Sequence, residues 1–124
     1  MYTVAVKRDF IAQHIIAGGL GGENQKHSHR YEVEVLLEGD CLDKQGYLYD
    51  IANLKIELDN VISHFRDLLL NELSEFHDAN PSIEHFAHII HGMLFSRVSN
   101  RHISATVVRI WEESGAWASY REEY

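Results

Sequence analysis

The chain of 124 residues contains one cysteine and one proline. A single thiol, Cys41, can form no internal disulfide. That excludes a disulfide-stapled secreted scaffold and makes the reducing cytoplasm the expected location. With Pro81 as the only proline, and no repeat or low-complexity tract, nothing reads as a linker, so residues 1–124 are expected to form one domain. Basic residues are also scarce. Eleven Lys and Arg face nineteen Asp and Glu, a formal charge of −8, which argues against a nucleic-acid or anionic-membrane partner. No apolar run approaches the roughly 18 residues of a membrane span. The opening MYTVAVKRDF lacks the charged segment and apolar stretch of a secretory signal. What is present is ordinary for a globular chain: 45% hydrophobic and 24% charged residues, enough to bury a core.

Histidine is the abundant residue, with nine in the chain. Where they fall depends on the elements. Residues 2–15 alternate loosely through Val4, Val6 and Phe10, as a strand would. The segment IAGGLGGENQK at 16–26 is a glycine-rich loop that matches no phosphate-loop spacing. Residues 27–38 alternate cleanly, with His29, Tyr31, Val33, Val35 and Leu37 on one face and mostly charged residues on the other. Ile51, Leu54, Leu58, Val61, Ile62, Phe65 and Leu69 fall at helical spacing over 51–70, behind Asp50 as N-cap. A second helix is predicted over 81–96, with Asn80 as cap and Pro81 in the first position. Residues 103–112 and 116–121 read as a strand pair across a turn at Gly115. The order β-β-α-α-β-β implies an α+β fold, a four-stranded antiparallel sheet with two helices on one face. Its two open edges favour self-association.

Four groups of residues could carry chemistry. His27 and His29 are two apart on a strand and share a face, and an antiparallel partner would bring His14 to them. Three imidazoles with an open fourth position suit a catalytic zinc site, and the alternative is three solvated histidines near a loop. His85, His88 and His91 with Glu84 form a second group. His85 and His91 do not share a helical face, so a polar helix surface is the simpler reading. Glu112 shares strand parity with Thr106, Val108 and Ile110, and a carboxylate there could accept two N–H donors from a ligand ring edge. Its alternative is a strand-end charge at the solvent boundary. Glu23, four residues before His27, becomes a candidate base only if a metal is near. Cys41 reads as an incidental thiol, and Trp111 and Trp117 as core or interface aromatics.

Together these residues resemble the 6-pyruvoyl-tetrahydropterin synthase and 6-carboxytetrahydropterin synthase family. The motif F-x-A-x-H appears as Phe10-Ile11-Ala12-Gln13-His14, and H-G-H before an aromatic strand appears as His27-Ser28-His29-Arg30-Tyr31. Two helix starts follow, Asp50-Ile51-Ala52-Asn53-Leu54-Lys55 and Asn80-Pro81-Ser82-Ile83-Glu84-His85-Phe86-Ala87. A late strand ends in Glu112 before a closing strand with Tyr120. The matches run in order over almost the whole chain.

The resemblance implies the tunnelling (T-fold) unit, three of which close their sheets into a barrel, with two trimers stacked as a homohexamer. It implies Zn2+ on His14, His27 and His29, and a pterin ring anchored by Glu112, with Ser82 at the second motif's Thr position beside it. The implied substrate is 7,8-dihydroneopterin triphosphate, attacked by a lone Cys as base with an Asp-His pair assisting. Here the sequence departs from the family. Glu23 stands where the Cys would be, and some family members use Glu near there and release 6-hydroxymethyl-dihydropterin. The Asp-His segment reads Arg66-Asp67, so the relay is missing or rebuilt, with Asp67, His64, or His77 and Asp78 as candidates. Ser28 replaces the central glycine. Two readings therefore stand: a zinc-dependent pterin lyase, and a pterin-binding homologue that has lost catalysis. A third, an acidic oligomeric domain with incidental histidines, predicts no stoichiometric zinc.

Overall fold

The computed structural model describes residues 1–19, 21–98 and 100–124, the side chain of Glu23 excepted. Strand β1 spans Tyr2–His14 and β2 spans His27–Gly39. Helix α1 spans Ile51–Ser63 and α2 spans Ile83–Val98, followed by β3 at Ala105–Glu113 and β4 at Ala116–Glu123. The four strands form one antiparallel sheet in the order β1-β2-β3-β4. This is the predicted α+β architecture. No described helix is long and apolar enough to cross a membrane.

Alternation sets which face is buried. Val6, Phe10, Ala12 and His14 of β1 and Tyr31, Val33, Val35 and Leu37 of β2 turn inward beneath the helices. Val108 and Ile110 of β3 continue that face. Leu54, Leu58, Val61 and Ile62 of α1, and Phe86, Ala87, Ile90 and Leu94 of α2, close it from above. The opposite face carries cross-strand ion pairs: Lys7–Glu32 at 2.8 Å, Arg109–Glu34 at 3.1 Å, Arg30–Asp9 and Arg121–Glu38. Trp111 and Trp117 lie on this outer face under Lys7 and Arg109 rather than in the core, and Trp117 is exposed.

Two helix boundaries differ from the predicted ones. The first helix stops at Ser63 instead of running to 70. Phe65 and Leu70 are still buried, but on a turn, with Asp67 in the left-handed region at φ 62°. The reason is competition from β1. The Asp67 N–H donates to the Ile11 carbonyl at 2.7 Å, and the Leu68 carbonyl accepts from Gln13 N–H at 2.9 Å. The second helix begins at Ile83, and Ser82 rather than Asn80 caps it, its Oγ accepting from the His85 N–H at 3.2 Å. Cys41 is exposed in the 39–46 turn, as expected of an incidental thiol.

Candidate metal centre and adjoining cleft

The ends of β1 and β2 build the centre. Their register pairs His14 with His27 and Ala12 with His29. All three imidazoles therefore emerge on the helix-covered face, where the strands meet the 16–26 loop. The ring centroids of His14 lie 4.4 Å from His27 and 4.6 Å from His29, and those of His27 and His29 are 4.8 Å apart. One nitrogen from each ring falls within 4.8 Å of the others. The floor is aromatic: Tyr31 stacks on Phe10 with centroids at 5.5 Å and meets Phe86 edge-on at 5.3 Å. His14 itself is 2% exposed.

Outer partners orient two of the rings. His27 Nδ1 lies 2.7 Å from the Gln25 carbonyl, which can only accept, so Nδ1 carries the proton and the Nε2 lone pair faces inward. His14 Nδ1 lies 2.9 Å from the Tyr31 hydroxyl, and its Nε2 is 2.8 Å from that of His27. Three nitrogens around a zinc ion, at ~2.0–2.1 Å each, stand about 3.3 Å apart in tetrahedral geometry. His14 and His27 Nε2 stand 2.8 Å apart and the three nitrogens lie within 4.8 Å of one another, and three imidazoles with one open side are a donor set suited to such an ion. Burial, then the neighbouring His29 and His27, push the His14 imidazolium down to about 4, so this ring is neutral over the physiological range.

The open side faces a cleft of about 620 Å3. Ile16, Gly22, Ser82, Ile83, Glu84, Glu112 and Glu113 line it together with the three histidines. Parity selected Glu112 alone, but both glutamates reach the cleft. A register shift between Trp111 and Glu113 makes Glu112 the extra residue of a bulge, which re-aims side chains at a strand end. Burial and then the Glu112 carboxylate push the Tyr31 phenol above its ordinary range, so that charge sits close to the metal-site floor. Among the described residues the cleft lining holds three carboxylates and no Lys or Arg.

Other candidates lie elsewhere in the chain. Glu23 belongs to a short 3-10 turn at Gly21–Asn24 beside the cleft, but its side chain lies outside the described residues. Asp67 lines a separate depression with Asp9, Phe10, Ile11, Arg30 and Arg66. His77 is exposed beside Asp78 at 4.0 Å, and His64 pairs with Glu75 at 2.7 Å. Asp67, His77 and His64 do not line the histidine cleft. Among the described residues His85, His88 and His91 form no converging group of metal ligands, and not all are surface residues. His91 is buried against Tyr120, with its Nε2 unpartnered among the described residues, while His88 stacks on Tyr120 at 4.3 Å. The rotation of α2 that buries Phe86, Ile90 and Leu94 carries His91 inward with them.

Sequence reasoning missed the loop clamps. Asn71 Oδ1 accepts from the Ile15 N–H at 2.8 Å and its Nδ2 donates to the Ile15 carbonyl at 2.9 Å. Asn80 grips Ala17 in the same two-way manner at 3.0 and 3.3 Å. An asparagine beside a helix start signals a cap. Only the three-dimensional approach of the loop reveals its other use.

The family model for 6-pyruvoyl tetrahydropterin synthase matches residues 3–123. The chain belongs to that family. Solved structures with the same fold include a Plasmodium vivax 6-pyruvoyltetrahydropterin synthase altered at a catalytic residue, 17% identical with a TM-score of 0.82 over 99% of this chain and 98% of that one. The Caenorhabditis elegans 6-pyruvoyl tetrahydropterin synthase is 24% identical, with a TM-score of 0.77 over 99% and 98% of the two chains. The Plasmodium falciparum enzyme is 18% identical, with a TM-score of 0.82 over the same shares. No curated protein matches the sequence. Members of the family are enzymes that process pterins, and this chain carries their fold with a three-histidine cluster beside its cleft.

Proposed function

We propose that this chain is a zinc-dependent lyase acting on the side chain of 7,8-dihydroneopterin triphosphate or a related pterin. The observation that carries the reading is the cleft itself, which joins three converging imidazoles to the glutamates of a strand-end bulge. His14, His27 and His29 would hold Zn2+, which when bound polarises side-chain oxygens of the substrate. Glu112 anchors the pterin ring, accepting its N–H donors in charge-assisted hydrogen bonds. Ser82 borders the same cleft, and its hydroxyl, which accepts from the His85 N–H, keeps its own hydrogen free to donate to substrate.

Glu23 is the proposed base. It precedes His27 by four residues in the turn beside the cleft. The Plasmodium vivax neighbour was studied with a catalytic glutamate changed to alanine, so a glutamate has a catalytic place in that protein of the same fold. Release of 6-hydroxymethyl-dihydropterin breaks the bond between the first and second side-chain carbons. The hydroxyl proton on the second carbon leaves to the base as that carbon becomes an aldehyde. A proton returned to the first carbon completes the product, so one carboxylate can serve both transfers. Asp67 and His77 would assist only from a second copy of the chain, since neither lines the cleft of its own chain. The homohexamer proposed from the family resemblance supplies such copies.

The second reading, a pterin-binding homologue without turnover, is favoured by one observation: among the described residues no thiol or Asp-His pair borders the histidines. Incubating zinc-loaded protein with 7,8-dihydroneopterin triphosphate and identifying products by mass separates the two. The lyase reading expects 6-hydroxymethyl-dihydropterin from the parent chain and loss of turnover in Glu23→Gln. Tight pterin binding with no product favours the binding reading instead.

A further inference from the structure

We propose that Tyr31 is a tautomer-adapting positioning residue of the metal centre, its hydroxyl donating to His14 Nδ1 when no metal is held and accepting from it when one is. This rests on the metal reading above. His27 is fixed: its Nδ1–H donates to the Gln25 carbonyl, so its Nε2 always presents a lone pair. His14 Nε2 stands 2.8 Å from that lone pair. Two lone pairs cannot face each other at this distance without a cation or a proton between them. In the metal-free protein His14 must carry its proton on Nε2 and donate it to His27. Its Nδ1 is then an acceptor and needs a donor. When a cation takes both Nε2 lone pairs, the His14 proton moves to Nδ1, which then needs an acceptor.

The partner at His14 Nδ1 must therefore serve in both senses. Tyr31 is completely buried, and its Oη lies 2.9 Å from Nδ1. A hydroxyl on a rotatable bond donates or accepts at the same site without moving a heavy atom. A carbonyl or carboxylate, the usual outer partner of a metal-bound histidine, would favour only the metal-bound tautomer. Stacking on Phe10 and edge contact with Phe86 hold the phenol in place while its hydrogen turns. The arrangement keeps the buried His14 satisfied before and after metal entry, so the ring need not swing out to exchange its partner.

The test measures zinc affinity of the parent chain and Tyr31→Phe by competition with a chromophoric chelator. Long-range proton–nitrogen spectra of the His14 ring are recorded in the parent chain with and without zinc. Because the hydroxyl serves His14 in both tautomers, its loss should weaken zinc binding by less than the roughly 10-fold that loss of an outer partner serving only the metal-bound form costs. The His14 proton should sit on Nε2 without zinc and on Nδ1 with it. A loss of 10-fold or more in Tyr31→Phe, or a His14 tautomer that zinc does not change, overturns the proposal while leaving the metal reading intact. Should the variant fail to fold, the parent spectra decide alone. A parent chain that binds no zinc overturns both.

Discussion

His14 shows how one buried side chain couples stability to pH. Its folded pKa of about 4 lies below the ordinary 6.5, because burial and two neighbouring imidazoles disfavour the charge. The unfolded chain therefore takes up the proton first. Stability from this group is complete above pH 6.5 and is lost as pH falls toward 4, by on the order of 3 kcal/mol in the metal-free protein. His91, lowered mainly by burial, acts in the same direction. Urea unfolding at pH 7.5 and 4.5 should show the loss, and His91→Leu should reduce it by removing one of the two groups and its unpartnered Nε2. An equal pH dependence in that variant would contradict the assignment. Glu112→Ala should weaken pterin binding by about 10- to 100-fold, the worth of a charge-assisted pair of hydrogen bonds, while zinc content stays unchanged. Fluorescence titration with a dihydropterin checks this. At the residue scale the sequence was most legible where strand parity applied, as for His27, His29 and Tyr31. It was least legible where a bulge broke parity, as for Glu113.

The elements were legible wherever periodicity alone governed them, and the misread end of the first helix has a single cause. The stripe from Ile51 to Leu69 continues the helical period past Ser63, yet the Asp67 N–H donates to β1 and the Leu68 carbonyl accepts from it. No local pattern announces a competing strand. The same region supplies Asn71, which with Asn80 ties down Ile15 and Ala17 just beyond His14. Replacing either asparagine by alanine removes two hydrogen bonds, costing about 1–2 kcal/mol, and frees the glycine-rich loop. Limited proteolysis should then cut within residues 16–26 faster than in the parent chain, and an unchanged rate would deny the clamp its role. At the other end of β2, a Cβ on Gly39 would lie 2.0 Å from the His102 carbonyl oxygen and 2.8 Å from Leu48 Cδ1. Backbone cannot yield as a flexible side chain can, so Gly39→Ala should cost at least about 3 kcal/mol in thermal or urea unfolding.

For the whole molecule, composition and pattern were enough to reach the architecture, while assembly and chemistry came from the resemblance. The sheet ends in two unpaired edges, β1 and β4. Tyr2 and Ile11 on β1 and Trp117 on β4 are exposed large apolar side chains at or beside those edges. Strand edges of this kind invite pairing with another copy. The proposed homohexamer would cover them, and sedimentation equilibrium should return six chains; a monomer at micromolar concentration would contradict it and leave Asp67 and His77 without a route to the cleft. All of the proposed chemistry depends on the three-histidine centre. The most direct measurement is therefore the metal content of the purified chain after dialysis against zinc and then metal-free buffer at neutral pH, by elemental analysis. The account predicts one zinc per chain, lost in His29→Ala although that variant still folds. A parent chain that retains no zinc, or a His29→Ala variant that retains as much as the parent, would contradict it.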